Sequence, residues 1–268
     1  MIRAGVTGAA GRMGSLIVRG VVESGDMEIA GALEAPGHPC IGSDVGTIIG
    51  GGARGVKVSD TVEEAFRDAE VILDFTFPEA AVATTRYAAS AGKAMVIGTT
   101  GFTDGEIGEI HSCAERIPIV MAPNMSIGVN VMFKMVSLLT SLLGDDYDVE
   151  IVEAHHRLKK DAPSGTAMGL ARAVAQARGE DLKNLARYER RGMIGPRPRG
   201  EIGIQTLRAG DIVGDHTVFF AGNNERIEIT HRAHTRQNFA QGAIRAARWI
   251  RGREPGLYSM MDVLGLSS

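Results

Sequence analysis

The stretch Ile2-Arg-Ala-Gly-Val-Thr7-Gly8-Ala-Ala-Gly11-Arg-Met-Gly14 decides the fold of this chain. Its apolar run, Ile2 to Thr7, is typical of a buried strand, and a helical pattern from Arg12 to Ser24 comes after the glycines. Glycines at a strand-to-helix turn let the backbone approach a pyrophosphate, and the helix N-terminus presents N–H groups and a positive dipole end. The stretch predicts a dinucleotide-binding turn, although an ordinary tight turn is the plainer alternative.

A second strand, Met27 to Leu33, strengthens this interpretation because it is followed by Glu34, where an acid would bind the ribose hydroxyls. Two later loops come after strands on the same side of the predicted sheet, where ligands of doubly wound folds lie. The predicted cofactor-binding residues are therefore Gly8, Ala9, Ala10, Gly11, Arg12, Met13, Glu34, Gly98, Thr99, Thr100, Ala122, Pro123, Asn124 and Met125.

Alternating short apolar runs and helical stretches continue to about Asn124, which predicts a Rossmann-type, doubly wound parallel sheet with helices on both faces. Beyond it come a long apolar helix, Val129 to Leu143, and three β-rich runs between residues 201 and 231 without obvious helices. This change of pattern predicts a second, α+β domain with an open mixed or antiparallel sheet. The fold class is thus α/β with an α+β second domain.

Composition excludes several classes of protein. The chain has 268 residues, 29 Lys and Arg against 32 Asp and Glu, and a net charge of −3, so nothing favours a nucleic-acid partner. Its two cysteines, Cys40 and Cys113, lack metal-type spacing, which fits a reducing cytoplasm and predicts no metal site. The Val129 to Leu143 helix carries Asn130 and Lys134 and is interpreted as an amphipathic core helix, so no membrane partner is expected.

Charge is unusually dense between Glu153 and Asp161, at the predicted end of a strand and immediately before Pro163 begins a helix. The amides of Ser164, Gly165 and Thr166 would lie in the first helical turn, and the two hydroxyls add donors, which suits a carboxylate ligand. Histidine is the side chain best matched to proton transfer near neutral pH. The segment predicts a site that binds and protonates an anion.

Each part of this segment also has a structural alternative. His155 and His156 point to opposite faces if the strand continues through both, so at most one would face a given site. A single His more often has a structural role, Arg157 and Lys160 fit a solvated surface, and Pro163-Ser164 fits a simple helix start. The coincidence of all these residues beside a dinucleotide-binding domain favours the functional interpretation.

The segment resembles the signature E-x-x-E-x-H-x-x-x-K-x-D-x-P-S-G-T-A of the 4-hydroxy-tetrahydrodipicolinate (dihydrodipicolinate) reductase family. The pattern is met without exception, from Glu150 and Glu153 through His155, Lys159, Asp161 and Pro163 to Ala167. The resemblance covers essentially the whole chain and includes the glycine turn, the Gly98 to Phe102 loop, Asn124, a motif from Arg208 to His216, and the Arg236 region.

The resemblance implies NAD(P)H-dependent reduction of 4-hydroxy-tetrahydrodipicolinate in the diaminopimelate route to lysine, with hydride transfer to C4 as hydroxide is lost. It implies a dinucleotide-binding domain of residues 1–126 plus 236–268 and a substrate domain of residues 127–235 whose sheet builds a homotetramer. The implied catalytic residues are His155 and Lys159, and the predicted substrate-binding residues are His156, Ser164, Gly165, Thr166 and Arg236.

Cofactor preference depends on the residues immediately after Glu34. Several relatives have an Arg directly after this acid, where it can pair with a 2′-phosphate, but here Ala35 and Pro36 occupy these positions. We therefore expect NADH to be used at least as well as NADPH. Arg12 in the glycine turn is a possible alternative source of positive charge.

Two other functions fit parts of the sequence. A related dehydrogenase of the diaminopentanoate type would keep the glycine turn and lose part of the segment from His155 to Thr166, whereas none is lost here. An NAD(P)-sensing regulator would have no need of His155 and Lys159 beside an anion-binding helix start. The sequence therefore favours the reductase.

Overall fold

A computed structural model describes residues 1–267 of the chain. The chain forms two compact units, and each has its own hydrophobic core. Unit 1 comprises Met1–Ile127 together with the chain from Arg236 onward, and unit 2 comprises Gly128–Thr235.

Unit 1 contains a seven-stranded sheet in which every strand pair is parallel, in the order β12-β6-β5-β4-β1-β2-β3. Numbered in chain order, its strands are β1 (Ile2–Thr7), β2 (Met27–Leu33), β3 (Val58–Ser59), β4 (Val71–Asp74), β5 (Ala94–Ile97), β6 (Pro118–Met121) and β12 (Gly256–Tyr258). Its helices are α1 (Gly14–Glu23), α2 (Val45–Ile48), α3 (Val62–Ala65), α4 (Pro78–Ser90), α5 (Asp104–Ala114), α9 (Gln237–Ile250) and α10 (Met260–Leu264).

The core of unit 1 lies on both faces of this sheet, because a parallel sheet is covered by helices on each side. Successive residues of β4 show this directly: Val71 and Leu73 join one apolar cluster, while Ile72 joins the other. Strand order reverses at β1, which lies between β2 and β4. The predicted Rossmann-type sheet is confirmed, and this reversal marks where a ligand of such a sheet is bound.

Unit 2 contains a five-stranded mixed sheet in the order β11-β10-β7-β9-β8. Its strands are β7 (Asp148–His155), β8 (Ala186–Arg187), β9 (Ile202–Arg208), β10 (Gly214–Ala221) and β11 (Arg226–Ala233), and its helices are α6 (Ile127–Leu143), α7 (Gly165–Arg178) and α8 (Leu182–Leu185). β10 is antiparallel to both neighbours, whereas β9 is parallel to β7 and β8. The predicted α+β second domain is confirmed.

Alternation along the strands of unit 2 separates an inner from an outer face. Val149 and Ile151 of β7 are buried in a core that includes Leu170 and Val174 of α7, while Val152 is only partly covered. Glu153 and His155 share the inner face with Ile151 because side chains alternate every residue along a strand. The candidate catalytic groups are thus placed by the strand period.

Helix α6 contributes Met132 and Val136 to the core of unit 2. Four of its apolar side chains at helical spacing are exposed: Val131, Met135, Leu138 and Leu142. The helical segment Ile127–Asp146 is long and apolar enough to cross a membrane. These two properties are weak evidence for a membrane-spanning helix, because core helices share them. One face of α6 packs on the core as expected, but the amphipathic interpretation is wrong for the other face, because Asn130 is buried and the exposed side chains form an apolar stripe.

Candidate active site

A cavity of about 510 Å³ lies at the carboxyl ends of the central strands of unit 1. Its walls come from the turn after β1, the end of β2 and the segment after β4. The lining residues include Gly8, Gly11, Arg12, Met13, Gly14, Leu33, Glu34, Asp60, Phe75, Thr76 and Phe77. The cavity therefore occupies the point of strand reversal, where the sequence predicted the dinucleotide.

The glycine turn that forms one wall has no room for side chains. Gly8 has a left-handed φ of 57°, and a Cβ on Gly14 would lie 1.9 Å from the Gly8 carbonyl oxygen. Gly14 is also the first residue of α1, and the Ser15 and Ile17 amides bond to the carbonyl oxygens of Gly11 and Met13, so the helix starts directly from the turn. The turn has no side chains at its glycines, and the N-terminus of the helix that follows it lies at the cavity. Both features suit the binding of a pyrophosphate.

Glu34 is held beneath this turn by two backbone amides. Its Oε1 accepts a hydrogen bond from the Ala10 amide at 2.8 Å, and its Oε2 accepts one from the Ala35 amide at 3.3 Å. The carboxylate lines the cavity, as does Asp60, which comes directly after β3. Two acidic groups therefore line the cavity that the sequence predicted to bind the ribose.

A second cavity of unit 1, of about 360 Å³, contains the predicted loop residues. Arg12, Met13, Gly98, Thr100, Pro123, Asn124 and Met125 line it together with Phe75, Arg236 and Phe239. Gly98 is required here because a Cβ at this position would lie 2.2 Å from the Phe75 ring. Arg236, predicted to hold a substrate carboxylate, is thus a residue of unit 1 that shares a cavity with Arg12.

Four of the predicted cofactor residues do not line either cavity. Ala9 and Ala122 are buried, and the Ala10 amide is bound to Glu34. Thr99 is also buried, and its hydroxyl donates to Asp74 Oδ1 at 2.6 Å. These four residues lie behind the residues that line the two cavities.

The site of unit 2 is built around Glu153, whose side chain has no exposed surface. Its two oxygens interact with His155 Nδ1 at 2.6 Å and accept hydrogen bonds from the Ser164 amide at 3.0 Å and both terminal nitrogens of Arg208 at 2.9 Å. Burial alone would raise the pKa of Glu153, but the hydrogen bonds from His155, Arg208 and Ser164 outweigh it and lower the pKa to about 2. The carboxylate is therefore ionised at neutral pH.

An ionised Glu153 determines which nitrogen of His155 can exchange a proton. A carboxylate only accepts hydrogen bonds, so His155 Nδ1 must carry the hydrogen that it shares with Glu153. This leaves Nε2 as the nitrogen that can give or take a proton. Nε2 lies against Gly214, where an added Cβ would be only 3.0 Å away, so glycine makes room for the ring.

Ser164 differs from its prediction. It is the N-cap of α7, its hydroxyl accepts from the Ala167 amide and bonds His216 Nε2 at 3.0 Å, and its own amide is bound to Glu153. The expectation that Ser164 offers a free amide to a ligand is wrong, because Glu153, eleven residues earlier, already takes that amide. Gly165 is exposed at the start of the helix, and the predicted roles of Gly165 and Thr166 in binding a carboxylate stay predictions.

The remaining predicted residues of unit 2 lie just beyond β7. β7 ends at His155, so the alternation of side chains along the strand does not determine the direction of His156. The Nδ1 atom of His156 is buried and has no hydrogen bond in the described part of the chain. Lys159 Nζ lies 2.9 Å from Asp161 Oδ1. Partial burial would raise the pKa of Asp161, but the hydrogen bond from Lys159 lowers it. Lys159 therefore has Asp161 as an anionic partner.

Arg208 and His216 have no predicted roles, although the motif that runs from one to the other was noted in the resemblance. The structure places Arg208 on Glu153 and His216 on Ser164, and the His155 and His216 rings meet edge-on with centroids 5.2 Å apart. Burial, together with the nearby His155, lowers the pKa of His216 to about 3. His216 is thus a neutral packing and hydrogen-bonding partner of the site.

The other signature glutamate, Glu150, has a different task. Three residues before Glu153, it lies on the opposite face of the strand and binds both terminal nitrogens of Arg190, at 2.8 and 2.7 Å, and Nε of Arg197 at 3.0 Å. A Cβ on Gly203 would lie 1.8 Å from Glu150 Oε2, so this glycine is needed to seat the carboxylate. Through its bonds to Arg190 and Arg197, Glu150 holds residues 190–197 against the sheet.

We predict that the buried neutral His216 makes stability depend on pH in a defined window. Unfolded His216 takes up a proton below its ordinary value of 6.5, whereas the folded residue has a pKa of about 3, so stability is complete above pH 6.5 and falls as pH decreases. Glu153 adds a loss only below its ordinary value of 4.5. Burial also lowers the pKa of His231, so thermal unfolding between pH 7.5 and 5 measures both histidines, and the His216 share is at most about 1.4 kcal/mol per pH unit.

His216→Gln should flatten this profile, while His111→Gln, at an exposed position of α5, should leave it as steep as in the unsubstituted chain. An equal slope in His216→Gln and the parent chain would contradict the prediction.

Comparison with known proteins agrees with the resemblance noted in the sequence. Residues 2–125 match the family model described as dihydrodipicolinate reductase, N-terminus, and residues 128–264 match the one described as dihydrodipicolinate reductase, C-terminus. The chain is 51% identical over 268 residues to the 4-hydroxy-tetrahydrodipicolinate reductase of Syntrophus aciditrophicus (strain SB), covering 100% of both chains. It is 53% identical over 266 residues to that of Syntrophobacter fumaroxidans, covering 99% of this chain and 100% of the relative.

A solved structure agrees as well. The dipicolinate-bound dihydrodipicolinate reductase from Paenisporosarcina sp. TG-14 superposes with a TM-score of 0.78 and 26% identity, covering 98% of each chain. Family matches to both halves, full-length relatives and a shared two-unit architecture all lead to one assignment: the chain belongs to the 4-hydroxy-tetrahydrodipicolinate reductase family.

Proposed function

We propose that this chain reduces 4-hydroxy-tetrahydrodipicolinate to tetrahydrodipicolinate with NAD(P)H, in the diaminopimelate route of lysine biosynthesis. The observation that carries the proposal is the arrangement in unit 2 of His155, held by ionised Glu153, beside the exposed start of α7. An acid next to an anion-binding helix start suits a dicarboxylate that must lose hydroxide. The two cavities of unit 1 suit the dinucleotide.

Within this proposal, bound NAD(P)H supplies the hydride, and the residues of unit 2 hold and protonate the substrate. The first-turn amides at Gly165 and Thr166 bind a substrate carboxylate, and the positive end of the α7 dipole favours the negative charge. His156, whose Nδ1 has no partner in residues 1–267, is a further donor or acceptor for the substrate. Arg236 keeps its predicted role in binding the second carboxylate.

Departure of hydroxide requires a proton at the leaving oxygen. His155 Nε2 provides it, because Glu153 stabilises the imidazolium and fixes the ring orientation. Lys159 adds positive charge that favours the dianionic substrate and serves as the second proton donor or substrate orienter. Asp161 and Glu153 act on Lys159 and His155 through hydrogen bonds and do not need to contact the substrate.

We also propose that the protein is a cytoplasmic homotetramer built through the outer sheet face of unit 2. On that face Thr217 of β10 lies between Val152 of β7 and Thr230 of β11, and none of the three is fully buried. β11 is an edge strand that offers backbone groups for pairing. Cys40 and Cys113 are both free thiols, which suits a reducing compartment.

The proposed activity is tested by supplying aspartate semialdehyde, pyruvate and the preceding synthase, and measuring NADH absorbance after this protein is added. Consumption above the synthase-only control is expected, and its absence would overturn the proposal. His155→Ala and Lys159→Ala should each lower kcat about a hundredfold or more while the NADH dissociation constant barely changes, as lost acid catalysis requires.

Lys160→Ala is the matched control for these variants, because Lys160 is the exposed neighbour of Lys159. A defect in His155→Ala or Lys159→Ala confined to NADH binding would contradict their placement in proton transfer. Equal loss of activity in Lys160→Ala would show that charge in the segment matters more than the individual lysine.

For cofactor choice, we propose that kcat/KM with NADH is at least as high as with NADPH. A 2′-phosphate would meet the carboxylates of Glu34 and Asp60 in the same cavity, and Pro36 lacks an N–H that could bind it. Ala35→Arg should raise kcat/KM for NADPH about tenfold, because it supplies a bidentate phosphate partner. A large NADPH preference in the unsubstituted chain would contradict the proposal, and its loss in Arg12→Ala would identify Arg12 as the phosphate partner.

For assembly, light scattering should give a mass of four chains of 28.4 kDa. Thr217→Glu should reduce that mass, since it places a charge on the outer sheet face. Glu115→Lys, at the exposed end of α5, is the control expected to keep the parent mass. A monomer in the parent protein at micromolar concentration would exclude the tetramer.

A further inference from the structure

Asp74, the last residue of β4, is a buried carboxylate of unit 1 that has no role in the proposed chemistry. Its side chain lies among three threonine hydroxyls. Thr7 donates to Oδ2 at 2.8 Å, Thr99 donates to Oδ1 at 2.6 Å, and the Thr76 hydroxyl lies 3.0 and 3.1 Å from the two oxygens. The Thr76 amide completes the set with a hydrogen bond of 3.2 Å to Oδ1.

These donors come from three separate chain segments. Thr7 ends β1 immediately before the glycine turn, Thr76 lies just beyond β4, and Thr99 lies just beyond β5. β5, β4 and β1 are neighbours in the sheet, so one carboxylate joins the carboxyl ends of three adjacent parallel strands. Asp74 is thus the shared hydrogen-bonding partner of all three loops.

Each joined segment forms a wall of a cavity proposed to bind the dinucleotide. Gly8 next to Thr7, and Phe75 and Phe77 on either side of Thr76, line the larger cavity. Gly98 and Thr100, on either side of Thr99, line the smaller one. The Asp74 carboxylate therefore lies behind the walls and contacts the loops through the threonines.

The free-energy cost of burying the Asp74 carboxyl group suggests that this group has a function. Among residues 1–267, Asp74 forms no salt bridge with Lys, Arg or His, so hydrogen bonds alone compensate its burial. Burial of a carboxyl group that has only hydrogen-bonding partners is costly, and apolar side chains of similar size would fill the space with less loss of solvation energy. Stability alone does not explain a carboxylate at this position, whereas fixing three loops in one geometry does.

We infer that Asp74 is a positioning residue for dinucleotide binding, which sets the glycine turn, the Phe75–Phe77 segment and the Gly98–Thr100 loop through its bonds to Thr7, Thr76 and Thr99. The inference rests on the proposed function, because it assumes that unit 1 binds NAD(P)H. It also gives Thr99 a new assignment, since its hydroxyl acts on Asp74 and not on the cofactor.

The test is the dissociation constant of NADH, measured by fluorescence, together with the thermal midpoint of each variant. Asp74→Ala removes all the acceptors and should weaken NADH binding about tenfold or more, as expected for misplaced binding groups. Asp74→Asn should recover most of the lost affinity, because its amide oxygen can still accept from Thr76 and Thr99. Its NH₂ then faces Thr7, whose hydroxyl can donate to the Leu73 carbonyl oxygen at 3.2 Å.

Thr99→Val keeps the test decisive if Asp74→Ala does not fold, since it removes one donor and keeps the side-chain shape. It should weaken NADH binding about threefold or more, with Thr99→Ser binding more tightly than Thr99→Val. The matched control is Thr85→Val, which removes another buried hydroxyl of unit 1 that bonds only to Ala81 within α4.

A double-mutant cycle separates positioning from direct contact. If Thr99 acts through Asp74, Thr99→Val adds no further loss of NADH affinity in the Asp74→Ala background. Multiplicative losses, or losses in Thr85→Val as large as in Thr99→Val, would overturn the inference, as would parent-like binding in both Asp74→Ala and Thr99→Val. Failure of the parent chain to bind NADH would instead reject the proposed function, and this inference with it.

Discussion

The buried charge of Glu153 is the constraint on which unit 2 depends. A carboxylate without exposed surface must be compensated, and here the compensation comes from the end of β7, the end of β9 and the start of α7. The same bonds that satisfy the charge also fix how the strand ends and the helix begins. His155 is positioned as a consequence, because its Nδ1 is one of the compensating groups, and Ser164 is drawn in as another.

Unit 1 has a comparable arrangement at the end of β4. Asp74 and Glu153 are both fully buried acids near the carboxyl end of a strand, and both accept hydrogen bonds from neighbouring strands or loops. They differ in their partners, since Glu153 is paired with a guanidinium and Asp74 with hydroxyl groups and one amide. In each unit, the loops that bear the candidate ligand-binding groups are held from inside the protein by an acid.

Local patterns in the sequence predict much of this structure. β1 and β2 occupy the predicted residues, since buried parallel strands are continuous apolar runs bounded by turns. β8 and β12, with two and three residues, are missed because their stability comes from pairing with β9 and β6.

Ten of the fourteen predicted cofactor residues line a cavity, because the glycine turn and strand-end loops have local motifs. Asp74 has no such motif: its partners Thr7 and Thr99 lie 67 and 25 residues away. The availability of the Ser164 amide is mispredicted for the same reason, since only the folded chain brings Glu153 to that amide.

The discontinuity of unit 1 affects how the protein is made. Helix α9 and strand β12 belong to unit 1 but come after all of unit 2 in the chain, so a ribosome completes unit 2 first. Until then the nascent chain lacks the helix whose Ile244 packs close to Gly20 of α1, and β6 has no strand on its outer side. An uncovered apolar helix face and an open sheet edge are the features that chaperones bind and that aggregate in crowded solution. Truncation of even the last few dozen residues would leave unit 1 permanently in that exposed condition.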